Sequence, residues 1–232
     1  CNFCYRMDKG FRPRSDEAII EEIDYLKSNY GISYIIFDDE LLMSSVVRTE
    51  SFCKAMIAAG LNVKWWCNGR LNYARRDLLK LMKAAGCVFI NYGIESMDDK
   101  TLRIMNKNLT TKQVIQGVEA TIEAGISPGL NIIFGNIGET IEALNKGVDF
   151  LRKYGDASQL RTIRPVTPYP GSPLYDYAVR KGLISGIADF YENKHTNSDL
   201  ITVNLTELSD REFYDALCEA NINLIEDYFE KQ

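Results

Sequence analysis

Apolar residues gather along this chain in short continuous runs, and longer segments with helical spacing separate these runs. Four runs occupy positions 33–37, 63–67, 88–92 and 130–134, and a fifth lies around 160–166. Continuous apolar runs are typical of strands that are covered on both faces, whereas strands with one solvated face alternate apolar and polar residues. The pattern therefore predicts buried strands that alternate with helices.

A glycine stands at each junction where a helical segment ends and an apolar run begins. These glycines are Gly31, Gly60, Gly86, Gly125 and Gly155. Glycine at a helix C-cap adopts the left-handed conformation without a Cβ penalty, so each junction reads as a helix end. Junctions that recur about every thirty residues predict serial βα units, in which helices cover a parallel sheet.

The first helical segment and the C-terminal one have clear N-caps. Ser15 is placed to cap the first helix, whose apolar stripe consists of Ile19, Ile23, Leu26 and Tyr30. Ser209 is placed to cap a long amphipathic helix, and the side chains predicted to face its core are Phe213, Leu217, Ile222 and Ile225. We expect residues 1–189 to form the main domain and residues 190–232 to form an extension that packs on it.

Composition and charge narrow the class of protein. The 232 residues include 46% hydrophobic side chains, which is enough for one sizeable core, and the net charge of −5 argues against a nucleic-acid surface. No apolar run approaches the roughly 20 residues that a membrane span needs. The cysteines beyond position 4 are scattered rather than dense, which predicts a reducing cytoplasm over the alternative of a lipoprotein with a lipid on Cys1.

Polar residues follow the predicted strands at their carboxyl ends, where both doubly wound sheets and βα barrels place ligands. The polar segments are Asp38-Asp39-Glu40, Asn68-Gly69-Arg70, Gly93-Ile94-Glu95-Ser96 and Gly135-Asn136-Ile137-Gly138-Glu139. The first is compatible with a metal or acid–base cluster and equally with a solvated strand end. A small basic group, Lys9, Arg12 and Arg14, reads as a solvated loop or as a screen for an anionic cofactor.

The chain begins with Cys1-Asn2-Phe3-Cys4, which places two thiolates three positions apart. Such a pair serves iron–sulfur clusters, redox dithiols and zinc ribbons. A zinc ribbon needs a second paired set of ligands, and the sequence contains no other C-x-x-C or H-x-H spacing. The cluster and dithiol interpretations remain at this point.

Several motifs in order resemble the core of the radical S-adenosylmethionine (SAM) superfamily, beginning at the second cysteine of its C-x3-C-x-Φ-C motif. The motifs are Cys1-Asn2-Phe3-Cys4, Phe37-Asp38-Asp39, Gly93-Ile94-Glu95-Ser96, Gly135-Asn136-Ile137-Gly138-Glu139-Thr140 and Tyr169-Pro170-Gly171-Ser172-Pro173-Leu174-Tyr175. The resemblance implies an α/β fold: a partial (β/α)6 TIM-like barrel over residues 1–189, with a C-terminal helical extension. We expect its first strand and the first cysteine of the motif to precede Cys1.

The segment Trp65-Trp66-Cys67-Asn68-Gly69-Arg70, with Asp38-Asp39, is similar to the group that often carries an upstream cobalamin-binding domain and that includes porphyrin-ring cyclases. The resemblance implies a [4Fe-4S] cluster, SAM and, through an upstream domain, cobalamin. It also implies a small organic substrate and an electron donor such as flavodoxin or ferredoxin. The reaction implied is reductive cleavage of SAM to a 5′-deoxyadenosyl radical for hydrogen abstraction or methylation.

The resemblance also assigns roles to individual residues. It makes Cys1 and Cys4 cluster ligands, and it places Asp38 or Asp39 near the amino group of the methionine moiety and Arg70 near its carboxylate. Glu95 and Ser96 are candidates for polar contacts with the ribose or methionine, and the backbone from Ile133 to Gly135 for contact with the adenine. Related enzymes usually have Leu-Pro where this chain has Asn136-Ile137.

One alternative from a different class stays open, namely a non-catalytic barrel that binds SAM without a cluster. A cluster with one open iron needs three thiolates, and Cys1 and Cys4 supply two. We therefore expect residues 1–232 by themselves to be colourless and inactive, even where the parent protein is an enzyme.

Overall fold

The structure is a computed structural model, and it describes residues 1–5, 10, 12–39 and 41–232. The hypotheses on Lys9 and Glu40 therefore concern positions outside the described residues. The elements in chain order are α1 (Asp16–Tyr30), β1 (Tyr34–Phe37), α2 (Val46–Ala59), β2 (Lys64–Gly69), a 3-10 turn (Leu71–Tyr73), α3 (Arg76–Ala84), β3 (Cys87–Glu95), α4 (Asp99–Ile104), α5 (Thr111–Glu123), β4 (Ser127–Phe134), α6 (Ile141–Tyr154), β5 (Arg164–Pro165), α7 (Pro173–Arg180), α8 (Ile187–Asp189), a π-helical turn (Phe190–Lys194) and α9 (Asp210–Glu230).

The strands lie in the sheet in the same order as in the chain, β1-β2-β3-β4-β5. The pairs β1–β2, β2–β3 and β4–β5 are parallel, with Tyr34 opposite Lys64 and Ile133 opposite Arg164. A doubly wound sheet reverses its strand order at a switch point, whereas a βα barrel adds each strand on the same side of the previous one. The strand order therefore agrees with the barrel interpretation.

The predicted helix ends are confirmed, and one predicted glycine conformation is not. Ser15 and Ser209 accept hydrogen bonds from the first turns of α1 and α9 as predicted, and Ser209 forms a complete capping box with Glu212. Thr140 caps α6 in the same way. All five junction glycines stand where a helix ends, and four of them have positive φ; at Gly155, the C-cap of α6, the predicted left-handed conformation is wrong, because its φ is −68°. The N–H of Gly155 still bonds Leu151 at 2.8 Å, and the chain then leaves in an extended conformation.

Two strands differ from the prediction. In β1, Tyr34 and Ile36 are 47% and 56% exposed, because β1 is an edge strand of the described sheet and one of its faces is not covered. The fifth strand has two residues instead of a run around 160–166. The side chain of Asn221 on α9 bonds both the N–H (2.8 Å) and the C=O (2.9 Å) of Ile163, and so occupies the groups that a longer strand would offer to a neighbour.

The chain divides into two compact units. The first unit comprises Cys1–Lys9, Ile94–Thr111 and Asn131–Gln232; the second unit comprises Gly10–Gly93 and Lys112–Leu130. The division of the chain at residue 189 remains a prediction. Within the part of the chain that the structure describes, no helix has both the length and the apolar character that crossing a bilayer requires.

The core of the second unit is built on aromatic side chains. Phe37, Phe52 and Trp65 meet edge to face, with ring centroids 5.4–5.7 Å apart. The indole N–H of the fully buried Trp65 donates to the C=O of Ala85 at 2.8 Å. The adjacent Trp66 is half-buried and contacts Phe89 instead. The two tryptophans thus pack on opposite faces of β2, as expected for neighbouring strand residues.

In the first unit, α9 packs its apolar stripe against the core. Phe134 and Phe213 lie with their ring centroids 4.7 Å apart. The prediction that Ile222 and Ile225 face the core is wrong, because they are 55% and 36% exposed. The buried stripe instead consists of Phe213, Leu217, Ala220 and Leu224, which keeps the helical spacing of three and four residues.

Candidate functional site

The cysteine segment, Cys1 to Cys4, presents both thiols on its surface while its other side is packed. Cys1 and Cys4 are exposed. Phe3 packs against a core cluster of the first unit that includes Leu174, Tyr175 and Phe190. Phe3 therefore anchors the segment between its two cysteines, and both cysteines lie at the surface.

Asn2 joins this segment to two helix ends. Its N–H donates to the C=O of Met105, just beyond the C-terminus of α4, and its C=O accepts from the N–H of Leu174 in the first turn of α7, both at 2.8 Å. The last carbonyls and first N–H groups of a helix have no partner inside the helix. Asn2 satisfies one group of each kind, so the segment closes two helix ends at once.

The side chain of Asn2 pairs with the side chain of Asn136. Each amide donates to the other at 3.2 Å, and the Nδ2 of Asn2 also donates to the C=O of Ile104 at 3.2 Å. Asn136 is fully buried, and its Oδ1 accepts from the N–H of Ile137 at 2.8 Å. The cysteine segment is therefore bonded directly to the loop that follows β4.

Glu139 organises that loop, residues 135–139. Its Oε2 accepts from the N–H groups of Gly135 (2.9 Å) and Asn136 (3.1 Å), and its Oε1 accepts from the hydroxyl of Ser96 (3.2 Å). Glu139 is only 4% exposed. Burial raises the pKa of its carboxyl to about 7, although these hydrogen bonds favour the charged form and oppose the shift.

Glu95 ends β3 in an unusual backbone conformation. It is a non-glycine residue with a φ of 74°, and its buried carboxylate forms an ion pair with Lys107 at 2.8 Å. A side chain in the left-handed region costs free energy, which the surrounding contacts must offset. The next residue, Ser96, is 1% exposed, and its oxygen also accepts from the N–H of Asp98 at 3.3 Å.

The second unit has its own row of polar groups across three neighbouring strands. Asn91 on β3 donates to the Oδ1 of Asn68 on β2 at 3.0 Å, and Asn68 donates to the C=O of Asp39 at 2.9 Å. The side chains of Asp38, Asp39 and Arg70 are exposed. This row of amides connects the middle of β3 with the carboxyl end of β2 and with the backbone just after β1.

The predicted site residues therefore fall into two groups. The first unit contains Cys1, Cys4, Glu95, Ser96, Ile133 and Gly135, and the second unit contains Asp38, Asp39 and Arg70. The reasoning from sequence missed the pairing of Asn2 with Asn136 and the part played by Asn91. The sequence does contain a signal for Asn91, because its polar amide interrupts the otherwise apolar run at positions 88–92.

The cysteine, histidine and carboxylate side chains of the described residues bear on metal binding. Among them, no three side chains of His, Cys, Asp or Glu are grouped closely enough to hold a metal ion. Cys53, Cys67 and Cys87 are fully buried, and burial raises the pKa of Cys53 to about 12. The exposed, anchored thiols of Cys1 and Cys4 fit two of the thiolate ligands of an iron–sulfur cluster.

Comparison with known protein families decides the identity of the fold. The family described as the Radical SAM superfamily matches residues 1–151. The chain belongs to the radical SAM superfamily. Its matched part begins at the cysteine segment and ends in α6, so it includes the loop of residues 135–139 and four of the strands. The predicted resemblance is confirmed.

Two relatives of this radical SAM chain are similar over most of its length. An uncharacterized methyltransferase of Pyrococcus horikoshii is 30% identical over 187 residues, which are 79% of this chain and 40% of the relative. The anaerobic magnesium-protoporphyrin IX monomethyl ester cyclase of Cereibacter sphaeroides is 30% identical over 181 residues, which are 75% of this chain and 29% of the relative. The chain thus spans less than half the length of either.

A solved structure shows the same radical SAM fold. The radical SAM methyltransferase TsrM of Kitasatospora setae, solved with cobalamin and a [4Fe-4S] cluster bound, has a TM-score of 0.64 and 17% identity. The match covers 72% of this chain and 34% of TsrM. The predicted fold class, an α/β partial barrel of the radical SAM type with a C-terminal helix, is confirmed. The resemblance to the group that includes porphyrin-ring cyclases agrees with the cyclase relative.

Proposed function

We propose that this chain is the SAM-binding and cluster-binding part of a radical SAM enzyme that acts on a small organic substrate by hydrogen abstraction or methylation. The observation that carries the proposal is the position of the cysteine segment. Two exposed thiols are held by bonds from Asn2 to α4, α7 and the loop of residues 135–139. A rigid pair of thiolates beside a glycine-containing loop suits a cofactor that must hold a fixed orientation.

Cys1 and Cys4 would hold two irons of the cluster. When bound, a reduced [4Fe-4S] cluster supplies one electron for cleavage of a carbon–sulfur bond of SAM. The contribution of the chain is to keep the two thiolates in place. The packing of Phe3 and the bonds of Asn2 do this without using either sulfur atom.

The individual SAM contacts that the family resemblance implies are proposals for each unit by itself. In the first unit, Glu95 and Ser96 would offer oxygen atoms to the ribose or methionine, and the backbone from Ile133 to Gly135 would contact the adenine. Lys107 and Glu139 hold these groups in position through the bonds described above. In the second unit, the exposed Asp38 or Asp39 would take the amino group and the exposed Arg70 would take the carboxylate.

The relatives guide the proposed reaction class. They include a methyltransferase and a porphyrin-type cyclase, and TsrM holds cobalamin. We therefore propose a methylation or a cyclisation of an organic substrate, with cobalamin held by a further domain. A flavodoxin or ferredoxin in a reducing cytoplasm would supply the electron.

The test is SAM cleavage by the natural full-length polypeptide. After anaerobic reconstitution with iron and sulfide and reduction with dithionite, we expect 5′-deoxyadenosine and methionine to accumulate. Cys4→Ala should abolish the product. Cys218→Ala is the matched control, because Cys218 is also an exposed cysteine but lies on α9. A folded protein that binds SAM but forms neither a cluster nor these products would favour the non-catalytic alternative.

A further inference from the structure

The amide pair between Asn2 and Asn136 has no freedom to rearrange. The C=O of Ile104 can only accept, so the atom of Asn2 that faces it must be the Nδ2. The N–H of Ile137 can only donate, so the atom of Asn136 that faces it must be the Oδ1. Both amide orientations are thus fixed by backbone groups, and the two 3.2 Å bonds between the side chains follow from them.

The pair connects two segments that the mechanism needs. On one side, Asn2 lies between Cys1 and Cys4. On the other, the N–H of Asn136 donates to Glu139, which also holds Gly135 and Ser96. A continuous set of hydrogen bonds therefore runs from the cysteine segment to Ser96, and each member belongs to the first unit.

Burial makes the pair costly to break. Asn136 is 0% exposed, and a buried amide that loses its partner pays the desolvation cost of its polar atoms. Asn2 keeps its backbone bonds to Met105 and Leu174 when the side-chain pair is lost. Loss of the pair should therefore loosen the cysteine segment relative to the loop without detaching it.

We propose that Asn136 is a positioning residue for the metal-binding thiols. Through its reciprocal amide pair with Asn2, it holds the cysteine segment in a fixed position relative to the loop of residues 135–139. The inference rests on the proposed ligand role of Cys1 and Cys4. The proposal predicts that Asn136 influences the affinity of the two thiols for a soft metal ion through Asn2 and not through a bond to either sulfur atom.

The experiment is a cadmium titration of the chain in a Cys218→Ser background, followed by thiolate-to-cadmium absorption and competition with a chelator. Cys4→Ala should lose the tight site. Asn136→Leu, which is close to Asn in shape, should bind Cd²⁺ about tenfold more weakly.

Asn221→Leu is the matched control. The side chain of Asn221 also makes two partly buried hydrogen bonds in the first unit, but to the backbone of Ile163 rather than to the cysteine segment. Its cadmium affinity should equal that of the parent. Hydrogen exchange at the N–H of Asn2 gives a second readout, since this proton should exchange faster in Asn136→Leu and not in Asn221→Leu.

Asn2→Ala and the double variant Asn2→Ala/Asn136→Leu complete a cycle and guard against a misfolded single variant. If the residues act through each other, the double variant should bind Cd²⁺ no more weakly than the weaker single variant. Fully additive losses, or an unchanged affinity in folded Asn136→Leu, would overturn the positioning role. Absence of a Cys4-dependent cadmium site in the parent would instead remove the proposed ligand role on which it rests.

Discussion

The hydroxyl of Ser96 donates to the carboxylate of Glu139 across 3.2 Å, and both side chains are almost completely buried. The bond joins the end of β3 to the loop after β4. Because the same carboxylate also accepts from the N–H groups of Gly135 and Asn136, one titratable group supports most of the loop. The stability of this region should therefore depend on the protonation of Glu139.

Glu139→Gln should remove a pH dependence of the unfolding free energy. The folded pKa, about 7, lies above the ordinary value of 4.5. Between these values the folded state binds a proton that the unfolded state has lost, so stability falls as the pH rises. The fall should be about 3 kcal/mol. Urea unfolding between about pH 4.5 and pH 7 measures it.

The glutamine retains an oxygen for the two backbone N–H groups and an amide that can donate to Ser96. The unfolding free energy of the Glu139→Gln variant should therefore lack the fall with rising pH that the titration of Glu139 causes. The same slope in both proteins would assign the pH dependence to another group.

Gly135→Ala should destabilise the protein more than Gly138→Ala. Both glycines have positive φ, 99° and 63°, so an alanine at either position pays a backbone cost of about 1–2 kcal/mol. At Gly135 the new Cβ would also lie 2.6 Å from the ring of Phe213, whereas at Gly138 nothing lies within 4 Å. Overpacking should add about 1–3 kcal/mol.

Thermal and urea unfolding of both variants gives this comparison. Phe213→Leu in the Gly135→Ala background removes ring atoms and should recover part of the added loss. Equal destabilisation at the two positions would mean that the ring of Phe213 on α9 moves away from the new Cβ at position 135 without a measurable cost.

Lys107→Met should be strongly destabilising because it leaves the carboxylate of Glu95 buried without its cation. The two side chains are 15% and 11% exposed, and their ion pair is 2.8 Å long. Breaking a buried pair from one side costs about 3 kcal/mol or more. Chemical denaturation at neutral pH should show the loss, and Glu95→Gln added to Lys107→Met should restore much of it.

Lys146→Met provides the control for that loss. Lys146 is paired with Asp98 and Glu142 on the surface and is 46% exposed, so its replacement should change stability little. If both lysine variants lose the same stability, the burial of the Glu95–Lys107 pair is not the cause.

Cysteine labelling should separate the six thiols into two classes. Cys1, Cys4 and Cys218 are exposed, and Cys53, Cys67 and Cys87 are buried. Burial raises the pKa of Cys53 to about 12, and the thiolate is the reactive form. Iodoacetamide at about pH 8 should therefore modify only the exposed class in the native protein, and all six in urea. Mass spectrometry of peptides would reveal any early modification of the buried class.

Local chemistry allowed much of the fold to be predicted from the sequence. Ser15 and Ser209 cap helices because their side chains reach backbone groups three residues away. Such a short separation along the chain is visible in the sequence. The apolar runs likewise became β2, β3 and β4. The fifth strand was overestimated because Asn221, a residue 58 positions away, takes the bonds of Ile163.

The candidate site was less predictable than the fold. Glu95 and Ser96 stood out as polar residues after a strand, but their partners Lys107 and Glu139 are set by tertiary packing rather than by spacing. The pairing of Asn2 with Asn136 spans 134 residues. No local pattern encodes such a contact, so the role of Asn136 emerged only from the structure.

The bonds of Asn2 also order events during synthesis. The cysteine segment leaves the ribosome before its partners Ile104, Met105, Asn136 and Leu174, which are translated later. Until Leu174 has emerged, the segment that carries the two thiols lacks its native hydrogen bonds. The thiols can then be oxidised or can bind the wrong metal. For the ligand role proposed for Cys1 and Cys4, correct metal delivery is therefore a late step, which follows translation of Leu174.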